Sequence, residues 1–279
     1  MKSFIEFASQ QLLSLYPENE VQILLSHLMQ SVTGYSRAQL LLHKNSELSD
    51  ENRKQLLSML QRLQNGEPLQ YVLGETEFYG LIFRVSPSVL IPRPETEELV
   101  DLIVRENKHE NLSVLDIGTG SGCIAISLSH NLKNAQVEAW DISEETLAVA
   151  KTNAETNNQT VKFQKIDVLN DLISTDTFDI IVSNPPYVCT SESREMHRNV
   201  VGFEPHLALF VSDHDPLLFY RKITELSTQM LKSGGRLYFE INAAYGKETA
   251  SLLTKSGFLM VEIVKDIFGK DRIVKGIHN

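Results

Sequence analysis

The tetrapeptide Asn184-Pro185-Pro186-Tyr187 holds the residue types best suited to chemistry in this chain. Asn184 can present an amide carbonyl as an acceptor. Proline has no N–H to give to a sheet, but the Pro185 carbonyl remains free to accept. Asn184 Oδ1 and that carbonyl can together take both hydrogens of one planar NH2 group. Tyr187 can stack on the flat group carrying the nitrogen. Such a site would turn the π face of an amide or amino nitrogen toward an electrophile. The bland alternative is a tight turn, which Asn-Pro often starts. The preceding run Phe178-Asp179-Ile180-Ile181-Val182-Ser183 is short, apolar and β-branched, and so predicts a buried strand. The tetrapeptide then falls at the end of a central strand, where open α/β sheets bind ligands.

A second stretch supplies a ligand cradle. From Ser113 a short strand ending in the acid Asp116 is predicted, followed by three alternating glycines, Gly118-Thr119-Gly120-Ser121-Gly122, and a helix from about Cys123. Glycines let the backbone take positive φ and approach a ligand closely. The spacing is G-x-G-x-G, not the G-x-G-x-x-G of dinucleotide-binding folds. Asp116, directly before the loop, would repel a pyrophosphate but suits a cationic ligand or its ammonium group. The next strand, Gln136 to Trp140, ends at Asp141. An acid about 20 residues beyond a glycine loop is placed to hold ribose hydroxyls. A third strand, Val161 to Ile166, ends at Asp167-Val168, where the acid can accept from an adenine amino group and the valine can pack on its ring. Capping a turn would be the plainer role for Asp167.

The remaining elements must position these groups. Residues 1–69 predict a helical domain. Phe4, Ala8, Leu12 and Leu15 recur at helical spacing, as do Val21, Leu24 or Leu25, and Leu28. Ser36 with Gln39 resembles a capping box before Leu40-Leu41-Leu42, and Ser49 can cap a helix carrying Leu56, Leu57, Leu60 and Leu63. These leucines are expected to form a small bundle core. Residues 70–92 form a linker, in which Phe78 to Val85 predicts a hairpin around Gly80. Residues 93–279 form the catalytic domain of alternating strands and helices. Its Pro92-Arg93-Pro94-Glu95-Thr96-Glu97 string predicts a stiff entry to a helix, with a closing role over a cleft as an alternative. Residues 188–214 predict a long polar connection, of a kind that is more often functional than idle. Two final strands, 258–264 and 272–277, are expected to pair antiparallel.

Composition narrows the partners. The chain has 279 residues, 42% of them hydrophobic and 22% charged, and a formal net charge of -10. That is ordinary globular composition. The acidic balance and the lack of a basic cluster disfavour a nucleic-acid backbone as partner. No apolar run reaches the ~18 residues of a membrane span. The first six residues make a poor secretory signal. Two cysteines, Cys123 and Cys189, are too few for a disulfide framework, so the cytoplasm is the expected compartment. No Cys/His cluster has zinc spacing, and no metal is expected.

Taken together, Asp116-x-Gly118-x-Gly120-x-Gly122, Asp141, Asp167 and Asn184-Pro-Pro-Tyr187 resemble class I S-adenosylmethionine-dependent methyltransferases. The N-terminal helices, Pro92 to Glu97 and Glu204-Pro205-x-x-Ala208-Leu209 are similar to the PrmC (HemK) family across both domains and the linker. That family methylates N5 of the glutamine in the Gly-Gly-Gln motif of class-1 peptide chain release factors. The resemblance implies a Rossmann-like seven-stranded sheet with an antiparallel last strand. It implies that Gly118, Thr119, Gly120, Ser121 and Gly122 wrap the methionine part of S-adenosyl-L-methionine, which leaves as S-adenosyl-L-homocysteine. Asp141 would hold the ribose, and Asp167 and Val168 the adenine. Asn184, Pro185, Pro186 and Tyr187 would grip the substrate glutamine, with Asn184 also near the methyl donor. The helical domain would recognise the release factor. One departure stands out: family members often carry Glu-x-Gly-x-x-Gln after the fifth strand, whereas Glu240-Ile241-Asn242-Ala243-Ala244-Tyr245 keeps only the acid. No catalytic role is assigned to that segment. Two rival readings remain. One is an adenine-N6 nucleic-acid methyltransferase, since the same tetrapeptide can hold a flipped base. The other is a cofactor-sensing or scaffold protein with no enzymatic activity.

Overall fold

A computed structural model describes residues 1–171 and 177–279. The chain divides into two compact units. The first comprises Met1–Glu75 with His197–Phe203, and the second Thr76–Met196 with Glu204–Asn279.

The first unit is helical: α1 (Lys2–Leu12), α2 (Glu18–Thr33), α3 (Arg37–Leu42), α4 (Asp50–Gln64) and α5 (Leu69–Leu73). Its core is the apolar faces of α1, α2 and α4, including Phe4, Leu12, Leu28, Leu56 and Leu63. Tyr16 Oη donates to the Leu63 carbonyl at 2.9 Å. Arg62 pairs with both oxygens of Glu67 and donates to the carbonyls of Tyr71 and Val72, which ties α4 to α5. Four leucines expected in the bundle core are exposed instead, among them Leu57 of α4 at 41%. Leu15 is 54% exposed, because α1 stops at Leu12 and the chain turns toward Pro17. A residue preceding proline is pushed out of the helical region. The Ser36–Gln39 capping box forms, but Leu41 and Leu42 are 70% and 81% exposed. Capping fixes where that six-residue helix starts, not which face it buries.

The second unit begins with the hairpin of β1 (Glu75–Phe78) and β2 (Leu81–Arg84). Tyr79 and Gly80 both take positive φ, 48° and 76°, as a two-residue hairpin turn requires. The Glu97 carboxylate accepts the Tyr79 N–H at 2.8 Å, anchoring this turn to α6 (Pro94–Glu106). There follow β3 (Ser113–Ile117), α7 (Cys123–Asn131), β4 (Gln136–Asp141), α8 (Glu144–Thr156), β5 (Val161–Lys165) and β6 (Phe178–Ser183). Residues 188–214, expected as an irregular connection, contain several short elements. These are β7 (Val188–Cys189), a 3-10 turn (Thr190–Arg194), α9 (Arg198–Phe203), which belongs to the first unit, α10 (His206–Leu209) and β8 (Phe210–Val211). The chain ends with α11 (Leu218–Met230), β9 (Leu231–Glu240), α12 (Gly246–Lys255), β10 (Leu259–Lys265) and β11 (Asp271–Ile277).

Seven strands form one sheet in the order β10-β11-β9-β6-β3-β4-β5. Strand β11 runs antiparallel to both neighbours, while β9, β6, β3, β4 and β5 pair in parallel. This is the sheet the resemblance implies. The chain winds outward from β3 through β4 and β5, then returns to β6 on the other side of β3. The strand order therefore reverses between β3 and β6, and ligand crevices of open α/β sheets form at such a point. Ser183 Oγ donates to the Ile117 carbonyl at 2.7 Å, joining the ends of β6 and β3 there. Asn184 and Gly118 follow directly.

Candidate active site

A cavity of about 400 Å³ opens at the carboxyl ends of β3, β4, β5 and β6. That volume lies within the usual range for small-molecule sites. Gly118, Thr119, Gly120 and Ser121 form one wall. Gly118 and Gly120 have φ of +75° and +57°, and a Cβ built on either meets nothing within 4 Å. Both backbones thus border open space. The loop is pinned from behind, since the N–H groups of Gly118 and Thr119 both donate to the Trp140 carbonyl at 2.9 Å. Gly122 does not line the cavity. It caps α7, and a Cβ there would lie 2.8 Å from Ile126 Cδ1 and 3.2 Å from Ala150 Cβ. Its role is to let α7 sit against α8.

Asn153 also holds this loop, and no sequence motif marks it. It is fully buried on α8. Its Oδ1 accepts the Arg84 N–H at 2.7 Å, and its NH2 donates to the carbonyls of Arg84 and Ser121 at 3.0 and 2.9 Å. Both amide protons are used, and the side chain links hairpin, helix and glycine loop.

Asp116 departs from expectation. It is 0% exposed and lies beneath the loop, off the cavity wall. Its Oδ2 accepts the Thr119 hydroxyl at 2.7 Å. Its Oδ1 has no hydrogen-bond partner among the described residues, although the Ala125 N–H lies near the carboxyl. Burial pushes this carboxyl up to about 7, against the Thr119 and Ala125 donors. The folded chain therefore keeps a proton that the unfolded chain has lost, and stability falls as pH rises from about 4 to about 7. Asp116→Asn removes the titration. In urea unfolding without ligand, the variant is expected to gain on the wild type between pH 5 and pH 8, by roughly 3 kcal/mol at most. A difference that stays constant with pH would refute this.

Asp141 stands at the end of β4 on the cavity rim. Its two oxygens accept the N–H groups of Gly120 and Ser143, each at 3.0 Å. A carboxylate has about four acceptor sites, so others remain for a ligand. Burial raises its pKa. Asp167 and Val168 line the same cavity beyond β5. Asp167 accepts from the Leu169 N–H at 2.9 Å and from Asn170 Nδ2 at 2.8 Å, a turn-capping pattern that leaves further lone pairs.

The tetrapeptide separates two spaces. Asn184, Pro185 and Pro186 border the large cavity. Asn184 and Pro185 also border a second one of about 130 Å³, with Tyr187, Val188 and Met196. Arg93 faces both spaces. Its guanidinium pairs with the buried Glu204 at 2.6 Å, and the other Glu204 oxygen accepts the Ile91 N–H at 3.2 Å. The proline-rich string and the Glu204-Pro205 stretch are joined in this way, with Ala208 beside both spaces.

Behind the tetrapeptide stands Glu240, 1% exposed at the end of β9. It accepts the Thr96 hydroxyl at 2.7 Å and the Tyr187 hydroxyl at 3.1 Å. Thr96 Oγ1 in turn meets Asn184 Nδ2 at 3.4 Å. The two atypical positions beyond Glu240 brace the same region. Asn242 Nδ2 donates to the Tyr187 carbonyl and to Glu192, each at 3.2 Å, and Tyr245 Oη lies 3.5 Å from Cys189 Sγ. Sequence reasoning had no signal for these partners, because they are far apart in the chain. Among the described residues no His/Cys/Asp/Glu group could hold a metal ion, and no helix is long and apolar enough to cross a membrane.

Comparison with known proteins agrees with this architecture. A family model described as PrmC N-terminal domain matches residues 4–74, and one described as Methyltransferase small domain matches residues 96–201. A Release factor glutamine methyltransferase from Bacteroides thetaiotaomicron is 49% identical, over 98% of this chain and 99% of its own. One from Flavobacterium psychrophilum is 48% identical over 95% of each chain. Among solved structures, a methyltransferase from Pyrococcus furiosus is similar with a TM-score of 0.54 and 18% identity, over 82% of this chain and 98% of that one. At that identity the likeness speaks for the fold alone.

Proposed function

The chain belongs to the PrmC family of release factor glutamine methyltransferases, and on that premise we propose that it methylates N5 of the glutamine in the Gly-Gly-Gln motif of class-1 release factors. The observation carrying this reading is the pair of cavities that share Asn184 and Pro185. One space is sized for a nucleoside-bearing cofactor, the other for a single side chain, and the acceptor pair stands between them.

The larger cavity fits S-adenosyl-L-methionine. The open backbone at Gly118 and Gly120 leaves room for its methionine part. Ser121 Oγ is buried on that wall with no hydrogen bond of ordinary geometry, only the Cys123 thiol beside it. Asp141 has acceptor sites to spare for ribose hydroxyls, and Asp167 with Val168 suits an adenine. When bound, the cofactor supplies an electrophilic methyl on a sulfonium and leaves as S-adenosyl-L-homocysteine.

The protein's own task is placement. Asn184 Oδ1 and the Pro185 carbonyl accept the two hydrogens of the glutamine NH2. An amide nitrogen is a poor nucleophile, because its lone pair is delocalised into the carbonyl. Fixed orientation offsets that weakness, with effective molarities of ~10⁵ M or more. The two oxygens also stabilise the positive charge that grows on nitrogen. The alkylated nitrogen is strongly acidic, and its surplus proton passes to water without a dedicated base. The helical unit recognises the release factor, in the cytoplasm where that factor acts.

The test incubates the full chain with methyl-labelled cofactor and, separately, with recombinant release factor and with DNA and RNA. Mass spectrometry of the Gly-Gly-Gln peptide is expected to show one added methyl on glutamine. Label on nucleic acid instead would support adenine methylation. Tight cofactor binding with no transfer to any of them would support a sensing role.

A further inference from the structure

The two ends of the Asn184 carboxamide are chemically opposite, and only Oδ1 can accept a substrate hydrogen. We propose that Thr96 and Glu240 are positioning residues that fix which end of Asn184 faces the substrate. This rests on the reading that Asn184 holds the glutamine NH2.

Hydrogen-bond polarity carries the inference. A carboxylate only accepts. Glu240 takes one hydroxyl proton on each oxygen, from Thr96 at 2.7 Å and from Tyr187 at 3.1 Å. A hydroxyl has a single proton. The Thr96 proton is therefore committed to Glu240, and only lone pairs remain on Oγ1 for Asn184. The NH2 end of the carboxamide can meet them, and does so at 3.4 Å. A flipped carboxamide would set Oδ1 against the Thr96 lone pairs. The relay thus leaves Oδ1 pointing away from Thr96.

The relay is also rigid. Thr96 is 2% exposed, in the first turn of α6, where Pro94 opens the helix. Burial raises the Glu240 pKa, while the Thr96 and Tyr187 hydroxyls and Arg272 on β11 favour its charged form. Arg272 is itself held by Asp266 at 3.1 Å. Thr96 and Glu240 come from opposite ends of the catalytic unit, 144 residues apart, and meet at the tetrapeptide.

The test measures kcat, KM for release factor and cofactor Kd by calorimetry on the full chain. Thr96→Val keeps the shape but loses both the proton for Glu240 and the acceptor for Asn184. It is expected to lower kcat by about 10- to 100-fold, the loss that follows an unmade buried hydrogen bond. Cofactor Kd should stay close to the wild-type value. Thr96→Ser keeps the hydroxyl and should restore most of kcat. A packing role for Thr96 predicts the reverse order, with Val near normal and Ser impaired, and that order would overturn the proposal. Glu240→Gln provides an independent arm should Thr96→Val fail to fold. Its NH2 must face one of the two hydroxyls, and a kcat reduced at least tenfold is expected. Wild-type kcat in that variant would also overturn the proposal. The two failures are separable. A wild type that transfers no methyl to release factor removes the functional reading itself, whereas an active wild type with the reversed order removes only the relay.

Discussion

Replacing Asn184 by alanine is expected to lower kcat by about 10²- to 10³-fold, the typical loss when one preorganised polar contact to a developing charge is removed. Cofactor Kd should barely change, because the glycine loop, Asp141 and Asp167 stand on other strands. On the proposed reading, the variant removes one of the two acceptors for the glutamine NH2 and leaves the Pro185 carbonyl alone. One acceptor can still hold a hydrogen, but it no longer fixes rotation of the carboxamide plane. Since rate depends on that plane facing the methyl donor, the loss should fall on kcat more than on KM for release factor. Thr96 would lose its contact with Asn184 while keeping its bond to Glu240, so the fold behind the site should survive. Single-turnover methylation of release factor, with calorimetry for the cofactor, checks both halves. Near-normal turnover would show that the tetrapeptide is a turn and not the grip.

What the sequence discloses here follows the range of the interaction. Strands β3, β4 and β6 are legible because each is a run of five or six residues, three or four of them apolar, between turn signals. The Ser36–Gln39 box and the Ser49 cap are legible because each spans three residues. The exposure of Leu41 and Leu42 is not, since a cap says nothing about which face finds a partner. Residues 188–214 look irregular because their elements are two to six residues long, too short to show a period. Asp116 shows the same limit in the site. Its place before the glycine loop is plain, but only the fold shows that Thr119 turns back to claim it and that the cavity lies on the other side. Asn153, Thr96 and Glu240 act through partners 32 to 144 residues away. No local pattern encodes such a meeting, which depends on strand order.

Asp141→Asn should have the complementary effect, weakening cofactor binding by about 10²-fold or more while leaving kcat at saturating cofactor nearly intact. The carboxylate gives one oxygen to the Gly120 N–H and the other to the Ser143 N–H. Asparagine has one oxygen and one NH2, so whichever way it turns, a donor faces a donor. An unmet buried N–H costs about 1–3 kcal/mol. On the proposed reading, the charge-assisted bonds offered to ribose hydroxyls weaken as well, being roughly twice as strong as neutral ones. The damage reaches the glycine loop through Gly120 and the start of α8 through Ser143, both on the cofactor side. Nothing in it touches the Thr96–Glu240–Tyr187 relay, so a cofactor forced on by concentration should meet a normal grip. Calorimetric Kd together with kcat at saturation decides the matter. A Kd within a few-fold of wild type would mean that Asp141 only shapes the loop. Unchanged affinity in Asn184→Ala and unchanged saturated turnover in Asp141→Asn would together show that the two cavities do separable work on either side of one asparagine.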